Sequence, residues 1–260
     1  MNPRNRFTCI WYLILGLSGS AMAAPLPAPE TLGAEIESDA LRIAVIEPHL
    51  STAENNVRVE YIGYPAEEVI AAVLGPNWRA LSDRIEFREL DCYAARIDVS
   101  KFERGNAYMA FARSDGADFT IDNIAQNETN VALGPYYLVW NTIGHPELIA
   151  EGAGIWPYQI SEIFSFSDSD ASLLPDALDP RYREGAMLAK AYCLNCHSIN
   201  GYGGDKFEGD IARIARGLTQ EFFTDWVLDP SSLRNGTTMP ALPMHLDGAE
   251  RVRIAKTLYD

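Results

Sequence analysis

Bases are scarce in this chain. Its 260 residues hold 21 lysines and arginines against 36 aspartates and glutamates, for a formal net charge of −15. A surface of that sign repels nucleic-acid phosphates and anionic lipid headgroups, so neither is expected as a partner. The deficit is uneven: 22 acids and 9 bases fall between Ala24 and Phe164, but 10 of each between Pro180 and Asp260. Cysteine and histidine are also few, with four of each. Cys92 and the scattered His49, His145 and His245 supply no second ligand pair for a zinc site. No internal repeat is present. Beyond the first residues, no apolar run nears the roughly 20 residues of a membrane-spanning helix.

The first residues read as a leader. Arg4 and Arg6 precede a short apolar run, Ile10 to Leu17, and Ala21-Met22-Ala23 is a small-x-small cleavage pattern. This predicts a signal peptide over residues 1–23, cut after Ala23. The expected product is exported, soluble and periplasmic, with no membrane insertion after signal cleavage. Cys9 leaves with the leader, which leaves Cys92 without a disulfide partner of its own.

The densest chemistry lies in "AYCLNCHSING", where Cys193, Cys196 and His197 occupy five positions. Cys-x-x-Cys-His is the haem c attachment pattern. Were the segment helical, positions 193, 196 and 197 would share a face, so two sulfurs could bond one haem's vinyl groups with the imidazole under the iron. A thioredoxin-type dithiol needs no histidine after its second cysteine, and a structural disulfide is the remaining rival. The expectation is one covalent haem c.

Residues 180–260 resemble a class I c-type cytochrome domain. "REGAMLAKAYCLNCH" reads as a helix running into the motif, with Gly185 where that family's terminal helices cross closely. "LTQEFFTDWVLDP" reads as a second helix, capped by Thr219 and ended by Pro230. "DGAERVRIAKTLYD" reads as a third. The resemblance implies an all-α fold, His197 as proximal iron ligand and Met239 of "NGTTMPALP" as distal ligand, ahead of Met244 and His245. Trp226 is expected to pack on the haem. The family commonly has Gly-Pro in the loop below the haem, where a carbonyl receives the proximal histidine's Nδ1 proton; here Gly209 of "FEGDIARI" stands in that place.

Residues 24–164 read as a β-rich α+β domain. "LRIAVIE", "VRVEY", "RIEFREL", "YAARIDV", "YMAFA", "YYLVW" and "YQISEIFSF" are strand candidates. Pro65, Glu67, Glu68, Gly75 and Pro76 punctuate one helix. The pattern "LSDRIEFRELDCYAARIDVSKF…LGPYYLVWN…IWPYQISEI" resembles the molybdopterin-binding fold of sulfite oxidase-type proteins, with the cofactor expected to be lost. "SFSDSDASLLPDALDP", rich in Ser, Asp and Pro, reads as a linker over residues 165–179.

Together these imply two domains: the β-rich α+β domain, then an all-α cytochrome c domain. The expected function is one-electron transfer, with no catalytic residues and an N-terminal domain that docks redox partner proteins bearing a basic face or positions the haem. A cytochrome-fused molybdenum-dependent oxidoreductase, or its electron-accepting subunit, and a haem-based sensor are the alternatives.

Overall fold

The computed structural model describes residues 23–52, 54–104, 106–166, 179–243 and 246–260. The leader up to residue 22, most of the expected linker, and the rival ligands Met244 and His245 lie outside these residues.

The strand candidates build two antiparallel sheets. In chain order the first elements are β1 (Ala23–Pro25), α1 (Pro29–Leu32), β2 (Leu41–Ile46) and β3 (Arg58–Pro65). Next come α2 (Ala66–Leu74), α3 (Trp78–Leu81), β4 (Arg84–Glu89), β5 (Ala94–Asp98) and β6 (Ala107–Arg113). Then follow β7 (Thr120–Asn123), β8 (Glu128–Ala132), β9 (Tyr137–Trp140) and β10 (Ile160–Phe166). One sheet has the order β1-β10-β4-β5 and the other β2-β3-β6-β9, while β7 and β8 form a separate ribbon. Every named pair is antiparallel.

Helix α2 joins the two sheets. It packs on β3 and β6 of one and on β1 and β10 of the other. Glu67 and Glu68 sit in its first turn, where the helix dipole favours them, and Gly75 ends it at φ 88°. Val69 and Ile70 are fully buried, each worth about 1.5–3 kcal/mol relative to exposure. Beneath, Trp78, Phe102 and Trp140 run through the core with ring centroids 6.0 and 5.4 Å apart.

The rest of the chain overturns the expected separate all-α domain. It comprises α4 (Arg183–Tyr192), β11 (Ser198–Ile199), β12 (Tyr202–Gly203), α5 (Ile211–Ala215), α6 (Gln220–Leu228), α7 (Pro230–Leu233) and α8 (Gly248–Tyr259). These helices have only 10, 5, 9, 4 and 12 residues, and the β11–β12 hairpin interrupts them. Main-chain bonds also tie the segment into the sheets, from Ala94 N to Asn195 O at 2.9 Å and from Asp205 N to Cys92 O at 3.0 Å. The Nδ2 of Asn127 donates to Thr237 O at 2.9 Å. The chain is therefore one β-rich α+β domain, not an α+β domain followed by a class I cytochrome domain. The charge break at residue 165 marks a change of composition and not a structural boundary.

Neither family resemblance survives as a fold assignment. Among the described residues, no group of three or more His, Cys, Asp or Glu side chains gathers as metal ligands. A sulfite oxidase-type site needs a cysteine thiolate for molybdenum, and Cys92 stands in no such group.

Candidate functional site

The Cys-x-x-Cys-His motif lies just past a helix, not within one. Helix α4 ends at Tyr192, and Cys193 caps it by donating to Ala189 O at 2.8 Å. The turn then closes on itself: Cys196 N and His197 N both donate to Cys193 O, at 3.2 and 3.0 Å. Helix α8 supports α4 from behind. A Cβ on Gly185 would lie 2.7 Å from Thr257 O, so the two helices cross where only hydrogen fits.

The β4–β5 turn grips this loop. Besides the two main-chain bonds above, Asn195 Nδ2 donates to Tyr93 Oη at 2.9 Å. Lys206 Nζ pairs with Asp91 at 2.9 Å. The Arg96 guanidinium lies 4.3 Å from the centre of the Tyr202 ring and 2.7 Å from the buried Glu86 carboxylate. These contacts span about a hundred residues of sequence and show in no residue-type motif.

Cys193 and Cys196 are free thiols. Burial pushes both up to about 12, with the nearby Glu89 and Asp91 also raising Cys196 against the pull of Lys206. Both are therefore neutral at physiological pH. A thioredoxin-type dithiol requires a lowered thiol pKa, so this environment argues against that rival.

His197 stands beside Phe207, with ring centroids 5.4 Å apart. Burial holds its imidazole below the ordinary range, towards the neutral form that ligates metals. Its Nδ1 is buried without a hydrogen-bond partner. The carbonyl contact expected from the Gly209 segment is not made, so the device that commonly orients a ligating histidine is missing. No hydrogen bond occupies Nε2, which is not among the sealed, unpartnered atoms. It is the ring atom left available.

A cavity of about 330 Å³ brings Cys193, Cys196 and Met239 together. Val227, Leu242 and Leu258 give it an apolar floor, and His49, Glu89, Tyr93 and Tyr158 close its other side. A larger groove of about 880 Å³ also reaches Cys193 and Leu258, and Ile199, Ile211, Ala215 and Phe223 line it. Trp226 Nε1 donates to Met239 Sδ at 2.8 Å. The expected packing residue thus touches the expected distal ligand directly. Phe222 is exposed, but Phe223 and Val227 face the core.

The sheet side of the cavity holds groups that sequence reading missed. Glu89 is buried, and Tyr158 N donates to its Oε1 at 3.0 Å. Burial, reinforced by Asp91, pushes its carboxyl well up against the opposing charge of Lys206, so it tends to stay protonated. Glu47 is fully buried beside His49. Glu47 ends the apolar run "LRIAVIE", and an acid closing a buried strand was the only signal available.

No family model matches this chain, and no curated protein matches its sequence.

Proposed function

We propose that this chain carries one covalently bound haem c and works as an exported one-electron carrier. Cys193 and Cys196 would form the thioether links, and Met239 and His197 would supply the protein ligands of its iron, although His197 is not among the residues that line the cavity. The observation that carries this reading is the convergence of both free thiols and the Met239 thioether on one cavity, with His197 Nε2 unpartnered. When bound, the haem would supply an iron that stores one electron, and a thioether ligand would favour its reduced form.

The protein's own residues set the conditions. The apolar side chains of Val227, Leu242 and Leu258 keep water from the cavity. Trp226 orients the Met239 sulfur. Held by two protein ligands, such an iron would supply electron transfer and not bond chemistry. The export reading rests on the leader. No helix among the described residues is long and apolar enough to cross a membrane.

Met239→Ala should leave haem covalently attached but abolish the low-spin His/Met absorption spectrum. An unchanged spectrum would remove Met239 from the ligand set.

The acid-rich segment before Phe164 suits redox partner proteins with a basic face. Electron transfer from such a partner should slow as salt rises from about 0.01 M to about 1 M, where screening becomes strong. Rates indifferent to salt would contradict electrostatic docking.

A further inference from the structure

Asparagine stands directly before glycine at two places in this chain, Asn200-Gly201 and Asn235-Gly236. A glycine amide has no side chain beside it, so it can close on the side-chain carbonyl of the asparagine before it. Asn235 and Gly236 are both exposed, in the loop between α7 and Met239. A turn encloses them, in which Thr237 N donates to Arg234 O at 3.2 Å. Gly236 N takes no part in that bond. Neither it nor the Asn235 side chain has a hydrogen-bond partner among the described residues. Gly236 has φ 71°, and a Cβ built on it would meet nothing within 4 Å.

Asn127, just ahead of β8, clasps this loop at both ends. Its Nδ2 donates to Ser231 Oγ of α7 at 3.2 Å and to Thr237 O at 2.9 Å. The Asn235–Gly236 bond lies between those two points. Thr237 is buried, and its Oγ1 accepts from Met239 N at 3.3 Å. A change in the length of chain inside the clasp is therefore carried to Thr237.

We propose that Asn235 is a self-modification site, and that its conversion to isoaspartate opens the Asn127 clasp. Gly236 N attacks Asn235 Cγ, while solvent base takes its proton and returns it to the leaving nitrogen. The N–Cγ bond forms, the Cγ–Nδ2 bond breaks, and ammonia departs to leave a cyclic succinimide. Water then opens the ring at either carbonyl, giving aspartate or isoaspartate. Water consumed equals ammonia released, and nothing is oxidised or reduced. Isoaspartate routes the main chain through Cγ and so adds a methylene inside the clasp. Asn200 is the contrast. It sits in the turn of the β11–β12 hairpin at φ 52°, next to the Ile199–Tyr202 pair. Its N donates to Asp210 Oδ2 at 2.9 Å. Ring closure must rotate the asparagine main chain, and these bonds resist that rotation. No step requires a bound haem.

The test is incubation of the purified full chain at neutral and mildly alkaline pH, followed by intact mass and peptide mapping. The wild type should gain the mass of one amide-to-acid exchange, placed between Arg234 and Thr237, and gain it faster at the higher pH. Asn235→Gln should gain nothing there, while Asn200→Gln should react as the wild type does. No change at Asn235, or a change that appears first at Asn200, would overturn the proposal. Urea unfolding reads the clasp. Modification should lower wild-type stability towards that of Asn127→Gly, which keeps the positive φ of 53° and loses the side chain. Incubating Asn127→Gly should lower its stability no further. Equal losses in both proteins would overturn the role of the clasp, because independent changes add. Should Asn127→Gly fail to fold, Asn127→Asp, which removes the donating nitrogen, takes its place with the same two outcomes.

Discussion

Alanine at position 204 is expected to destabilise the chain by about 3 kcal/mol, the upper end for forcing a methyl into packed surroundings, and to lower its covalent haem content. Gly204 N donates to Leu194 O at 2.9 Å, which draws the strand of chain after β12 tightly against the attachment loop. An added Cβ would overlap the carbonyl oxygen of Asn195 and come within 3.1 Å of the carbonyl oxygen of Cys92. Both obstacles are main chain, and both already serve the grip between the β4–β5 turn and the loop. Relief requires moving that turn away from Cys193 and Cys196, which displaces the thiols. Gly248→Ala is the control. Nothing lies within 4 Å of its added methyl, and Gly248 opens helix α8 after the Asp247 cap. It should be neutral or stabilising by up to about 1 kcal/mol. Urea unfolding of the two variants makes the comparison, and equal stabilities would show that the grip is slack.

Glu47→Ala should cost more, roughly 3–5 kcal/mol, because the change strands a buried imidazole and two buried hydroxyls together. Burial alone would push the Glu47 carboxyl up. The hydrogen bond and charge of His49, with the hydroxyls of Tyr61 and Tyr137, outweigh it and hold the carboxyl below the ordinary range. The folded state therefore favours the ionised form. That stabilisation is complete above the unfolded value of about 4.5 and is lost as pH falls through the lowered folded value. The penalty of Glu47→Ala should accordingly be largest near neutrality and shrink in acid. Glu47→Gln keeps an acceptor oxygen and should cost clearly less. Urea unfolding at neutral and acid pH measures both, and a pH-independent penalty would contradict the carboxylate's role.

What could be read in advance was local. The strands β2 to β6, β9 and β10 fall on strand candidates visible in the chain, and α2 ends at Gly75 as its punctuation indicates. The Cys-x-x-Cys-His pattern is legible in five residues. The error lay in assigning those residues a domain of their own. The contacts that join the motif to the sheets are main-chain bonds of Cys92, Ala94, Asn195 and Asp205, and any side chain could make them. Composition changed sharply at residue 165, but composition carries no information about which carbonyl meets which amide.

The sheet side of the cavity was hidden for a related reason. Tyr61 and Tyr137 lie 14 and 90 residues from Glu47. No periodicity links three such positions, and His49 two residues on resembles any isolated histidine. Burial of the glutamate is what gives the group its meaning, and burial of a charged residue is the feature that patterning predicts least well.

The most direct test of the central claim is the intact mass and metal content of the full chain after export in cells that can attach haem. The account predicts the mature chain plus one haem, one iron and no molybdenum, with the haem retained after acid–acetone extraction and lost in Cys193→Ala/Cys196→Ala. A mass equal to the polypeptide alone, or haem that extracts freely, would contradict it.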